Sequence, residues 1–121
     1  MLDELRDRFT AFLSRNHICV IITSGSLGAW AVLAHYDNDG VALSCRLPRW
    51  SDVTYYLEQD PLVMAIIMDA HSDQLCWLQY RGLAHVTEST DDRFITVQIA
   101  PERVDLIDES RGWGARETLD G

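Results

Sequence analysis

The alternation of apolar and polar positions changes period repeatedly along the chain, and each change marks an element. From Leu2 to Arg15 the apolar residues Leu2, Leu5, Phe9, Phe12 and Leu13 recur at helical spacing, which places them on one face of a helix. Asp3 and Glu4 in the first turn and Arg15 in the last complement the helix dipole, and Asn16 is a suitable stop. The pattern predicts an amphipathic helix laid over one end of a sheet.

Beyond it the chain reads as β. Residues 17–23 carry Ile18, Val20, Ile21 and Ile22, the branched side chains that fit a pleated surface. Ser24-Gly25-Ser26-Leu27-Gly28 reads as a loop, and residues 29–36 as a second strand. Asp37-Asn38-Asp39-Gly40 is the clearest hairpin turn, because Asn and Gly tolerate positive φ. Residues 41–46 form the third strand, so these runs predict an antiparallel meander.

Leu47-Pro48-Arg49-Trp50 breaks the third strand. Ser51 or Asp52 then caps a helix whose face is Val53, Tyr56 and Leu57, and Asp60-Pro61 closes it, giving a helix across 51–60. Leu62–Met68 has no polar alternation and predicts a central strand buried on both faces. Residues 69–74 form a polar loop. Residues 75–87 are long for one strand, and Gly82 marks a bulge or bend. After a turn at 88–92, residues 93–100 and 104–107 are the last strands, separated by Pro101. Residues 109–121 form a polar tail whose one notable feature is Arg111-Gly112-Trp113-Gly114, with Trp113 suited to docking on a partner subunit.

The element order lacks the regular βαβ alternation and the glycine-rich turn of a dinucleotide fold. It predicts a mainly β protein with flanking helices. About six antiparallel strands that bend favour a small barrel, which removes exposed edges.

Composition narrows the class. A chain of 121 residues, 47% apolar and 24% charged, fits one folded domain over 1–121. The net charge of −9 and a pI near 4.6 argue against a nucleic-acid surface, which needs a basic stripe. All ten basic residues are Arg, so no side-chain amine can form a Schiff base. Cys19, Cys45 and Cys76 are widely spaced in apolar runs and read as buried reduced thiols. The charged N-terminus and the short apolar runs predict neither a signal peptide nor a membrane-spanning helix, hence a cytoplasmic protein.

Candidate chemistry concentrates where the third strand meets the helix. Arg46 and Arg49 flank a helix start, where free N–H groups and the dipole favour an anion, and two guanidinium groups can grip a phosphate. Ser51 at the cap and Trp50 beside it could contact the same ligand. His17, His35, His71 and His85 lack metal-ligand spacing. The Ser24-Gly25-Ser26 loop is no nucleophile elbow. On the long strand, Gln79 and Arg81 alternate with Cys76, Leu78 and Tyr80, giving it one polar face.

With this order in place, the chain resembles the FMN-binding split-barrel proteins of the pyridoxamine 5′-phosphate oxidase-like superfamily from about residue 12 to residue 108. The resemblance rests on FLSRNHICVIITS after the first helix, YLEQDPLVMAII, YRGLAHV and IAPERVDLID. It implies a six-stranded split barrel, a homodimer, and two FMN sites at the subunit interface. It places Ser44 as the phosphate-binding hydroxyl late in the third strand, Arg49 as the phosphate arginine, and Thr23 and Ser24 near the isoalloxazine ring. The lysine and asparagine usual in that superfamily are replaced here by Val53 and Tyr56. The Arg–His pair that pyridoxamine phosphate oxidases carry after the last strand is absent, since no His follows His85. The resemblance therefore implies an FMN-binding oxidoreductase with an unnamed small-molecule or electron-transfer partner. The alternatives are a dimer that has lost its flavin and serves as a binding or regulatory module, or one that takes another phosphorylated cofactor.

Overall fold

The computed structural model describes residues 2–25, 28–87 and 92–120. Helix α1 (Leu2–Arg15) leads into strands β1 (Ile18–Gly25), β2 (Gly28–Asp39) and β3 (Ala42–Pro48). A short helix, α2 (Asp52–Leu57), precedes β4 (Leu62–Met68), β5 (Cys76–Thr87) and β6 (Phe94–Asp108). A single 3₁₀ turn at Glu109–Arg111 then leads to β7 (Arg116–Asp120). The strand order is β3-β2-β1-β4-β5-β6-β7, and an additional β3–β6 pairing closes the first six strands into an antiparallel barrel. Ser26, Leu27 and most of the predicted 88–92 turn lie outside the described residues.

Alternate residues of every strand point inward, so the barrel interior is the core. Ile21, Leu43, Leu47, Ile67, Leu78 and Tyr80 are all sealed from solvent. Helix α1 buries Phe9, Phe12 and Leu13 against it, as the helical spacing predicts. The Tyr36 hydroxyl fastens that helix by donating to the Leu13 carbonyl at 2.7 Å. The free thiols of Cys19, Cys45 and Cys76 are buried. Gly82 sits where the β5–β6 register shifts. A Cβ there would come within 2.5 Å of the Ala100 carbonyl oxygen and 2.7 Å of Ile99 Cγ2, so only glycine lets the strands approach.

Four expectations need correcting. The residues after Arg93 form one continuous β6 across Pro101 rather than two strands, because the proline lies beside the Gly82 bulge, where the register is already broken. The helix over 51–60 is shortened to α2, and Glu58 to Gln59 form a turn. The apolar run of β4 is central in pairing order but not buried on both faces: Val63, Ala65 and Ile67 point into the barrel, while Met68 on the outside is 64% exposed. A closed barrel has only one interior, so the second apolar face of β4 looks outward. Finally, the polar residues after Asp108 include β7, which pairs along β6 and buries Leu119. One inward leucine among polar neighbours is too little periodicity to announce a strand.

Candidate functional site

Strand β3 pairs with β2 only from Arg46 to Ala42, opposite His35 to Asp39. Pro48, which has no N–H, and the turn at Arg49–Trp50 then carry the chain off the sheet. Residues 28–34 of β2 are therefore bonded to β1 on one side and to no strand on the other. The barrel is split along this edge, and α2 packs across the gap against β1 and β2.

Local chemistry explains why α2 starts there. Ser51 Oγ accepts from the Val53 N–H at 3.2 Å and Thr54 Oγ1 donates to the Pro48 carbonyl at 2.8 Å. Val53, Thr54 and Leu57 are buried. Tyr56 stacks on Trp30 of β2, with ring centroids 5.7 Å apart and planes 11° from parallel. The indole N–H of Trp30 is buried without a hydrogen-bond partner, an unusual state for a buried donor. Between the open β2 edge and the α2 turn lies a cleft of about 440 Å³ lined by Val20, Trp30, Ala31, Val32, Leu33, Trp50, Ser51, Asp52 and Val53. Trp50 is 83% exposed at its mouth.

A second cleft, of about 420 Å³, lies on the outer barrel surface and is polar. His17, His35, Tyr36, Asp37, Ser44, Arg46 and Thr96 line it. Arg46 stands opposite His35 on one side and Thr96 on the other, with its guanidinium carbon 6.0 Å from the Phe94 ring centre.

The residues singled out from sequence are thus divided. Trp50 and Ser51 line the β2-edge cleft, and Ser44 and Arg46 line the outer polar one. Arg49 is exposed on the turn next to Trp50, and its backbone N–H donates to the Arg93 carbonyl at 3.0 Å. Thr23 points into the barrel opposite Trp30 in the ladder, with its hydroxyl unpaired, and Ser24 is exposed at the strand end. Neither lines the described clefts. Val53 and Tyr56, which the resemblance set in the places of a lysine and an asparagine, are packed into the α2 seat. Sequence reasoning missed Trp30 and the bare β2 edge as cleft walls. Both depend on where β3 leaves its neighbour, and no local pattern carries that.

The buried ionisable groups serve packing rather than chemistry. Interaction with Cys45, and burial after it, hold the Cys19 thiol far above its ordinary value. Burial pushes Cys76 up, and likewise the phenols of Tyr36 and Tyr80. Thiols kept protonated in this way are poor nucleophiles. Asp69 goes the other way: hydrogen bonding from Arg15, 2.9 Å away, lowers its carboxyl below the usual range. No group of His, Cys, Asp and Glu suited to holding a metal ion occurs among the described residues, and none of their helices is long and apolar enough to cross a membrane.

Comparison with protein-family models yields no match, and comparison with curated proteins yields none. Solved structures do match. General stress protein 26 from Bacillus anthracis superposes with a TM-score of 0.79 at 16% identity, over 98% of this chain and 99% of that one. A protein related to general stress protein 26, of the pyridoxinephosphate oxidase family, from Clostridium acetobutylicum gives 0.80 at 9% identity, over 98% and 95%. A heme binding protein from Mycobacterium smegmatis gives 0.78 at 16% identity, over 95% of this chain but 57% of that one. The fold is accordingly the split β-barrel that these structures share.

Proposed function

We propose that the chain is a flavin-binding split barrel that works as a homodimer and holds FMN in the β2-edge cleft. One observation carries this reading: an open strand edge with unspent backbone donors and acceptors, bearing Trp30, borders a cleft whose mouth holds Trp50. A flavin ring has an apolar body and one polar rim of alternating donors and acceptors. Trp30, Val32 and Trp50 suit the body, and the backbone of residues 28–34 suits the rim.

The ring end fits more closely than the phosphate end. Ser51 accepts from the Val53 N–H and keeps its hydroxyl proton to donate, but Asp52 adds a negative charge to the cleft. Arg49, one residue from Trp50, is the cation nearest in sequence and would carry the phosphate. Arg46 and Ser44 face a different cleft. Bound flavin would supply hydride or electron-transfer chemistry as an oxidoreductase cofactor. The protein's part would be to seat the ring, shield it from water and set its orientation.

The outer surface supports a second subunit. In register, Leu33, Val20 and Ile66 form one apolar row across β2, β1 and β4; Ala31, Ile22 and Met64 form the next. Leu33 is 68% exposed in the single chain. This face borders the cleft, which shares Val20 and Leu33 with it, so a second copy packed here would also roof the ligand.

The test is titration of FMN into the purified protein, followed by flavin fluorescence, with the mass in solution measured alongside. Saturable binding to a dimer is expected, with Arg49→Ala weakening it about tenfold or more. A colourless protein that gives no FMN signal overturns the flavin reading. The alternative, a flavin-free binding or regulatory module, is favoured by one feature: Val53 and Tyr56 fill the places of the superfamily lysine and asparagine with packing.

A further inference from the structure

We propose that the outer face of β5, β6 and β7 carries an anion site for a phosphate monoester, formed by Arg81, Arg103 and Arg116 and separate from the β2-edge cleft. These residues are far apart in sequence, but the ladder gathers them. Arg81 stands directly opposite Arg103, and Arg116 comes in on β7. With Met64, Gln79 and Asp105 they line a cleft of about 260 Å³. Like charges placed directly across a strand pair are destabilising. Asp120, opposite Arg103 on β7, offsets part of that cost, and a bound anion would relieve the rest.

The site has an internal brace. Asp105 is only 4% exposed. It accepts from Arg103 Nε at 3.2 and 3.4 Å and from the Thr118 hydroxyl at 2.5 Å. This fixes Arg103 while half of that side chain remains open to solvent. Among the described residues Arg81 pairs with Glu102 at 4.0 Å, an exposed pair of little strength, and Arg116 makes no ion pair. Asp120 stands opposite Arg103 on β7, outside the cleft lining. Inside the lining three guanidinium groups face one carboxylate, which gives a phosphate dianion several charged donors to bind. The planar, forked donors of Arg match its oxygens.

The test is calorimetric titration at low ionic strength with inorganic phosphate and then glycerol 3-phosphate. The wild type is compared with Arg81→Gln/Arg116→Gln, which leaves the Asp105–Arg103 pair intact, and with Arg6→Gln, an exposed arginine of α1 that lines neither cleft. The double variant is expected to bind phosphate about a hundredfold more weakly, roughly tenfold per guanidinium removed, with its near-ultraviolet circular dichroism unchanged. Arg6→Gln is expected to bind as the wild type does. No phosphate binding by the wild type, equal binding by the double variant, or an equal loss in Arg6→Gln would each overturn the proposal. Flavin fluorescence and phosphate heat are separate readouts, so either site can fail without the other. If the arginines are subunit contacts, the double variant changes mass in solution while phosphate binding is absent from the wild type, which also overturns it.

Discussion

The two sides of strand β3 are built in opposite ways. Toward β6 it is paired from Leu43 opposite Ile99 to Pro48 opposite Phe94. That seam is further tied by the Tyr80 hydroxyl, which reaches the Val41 carbonyl at 2.6 Å and the Ile99 carbonyl at 3.2 Å. Toward β2, β3 pairs only up to Arg46 and then turns away, leaving seven residues of β2 with a bare edge. The closed seam commits its backbone groups to the barrel, so the polar cleft over it has side chains but no open strand edge to offer a ligand. The split seam gives up that pairing, fills part of the gap with α2, and keeps a ligand-sized cleft. In this barrel, room for function comes from a strand that ends early.

The comparison can be broken most sharply at the closed side. Gly82→Ala drives a methyl group into the Ala100 carbonyl and the Ile99 side chain. It is expected to cost about 3 kcal/mol, at the upper end of ordinary overpacking because backbone must move, as measured by urea unfolding. If it costs nothing, the β5–β6 approach is looser than drawn and the closed seam is not rigid.

Hydrogen exchange sharpens the comparison without a mutation. Those amides of residues 28–34 that face away from β1 are expected to exchange about a hundredfold faster than the paired amides of residues 43–47, because they need no opening of the barrel. Uniform protection across both stretches would mean that the split is closed in solution, by a ligand or a partner. Tyr80→Phe is the gentlest probe. It removes one hydroxyl and leaves the Val41 carbonyl, its nearer acceptor, short of a donor, a loss of about 1.5 kcal/mol in the same unfolding assay. An unchanged midpoint would remove the hydroxyl from the seam's stability.

The same division runs through what could be read from the amino-acid pattern. The α1 periodicity, the branched strands, the Asn-Asp-Gly turn and the Gly82 bend are local signals. They specified a mainly β chain with a capping helix, and the structure contains these features, except that residues 37–39 pair within β2 and the turn narrows to Gly40 and Val41. The Ser51 cap was also legible, because a cap requires only a hydroxyl two or three residues ahead of a helix N–H. Arg46 and Arg49 are close in sequence, yet they belong to different surroundings. One points from a strand into the polar cleft beside His35, and the other rides the turn that ends the strand.

What the sequence determined by itself, then, was most of the elements and the buried face of most of them. Those follow from side-chain period and residue type within a few positions. Only the tertiary structure decided which strand edge stays open, which arginines meet across β5, β6 and β7, and that β4 keeps an apolar face outside the barrel. Each of these depends on strand register and barrel closure between residues far apart in the chain. Pairing of that kind leaves no mark in any short window of sequence.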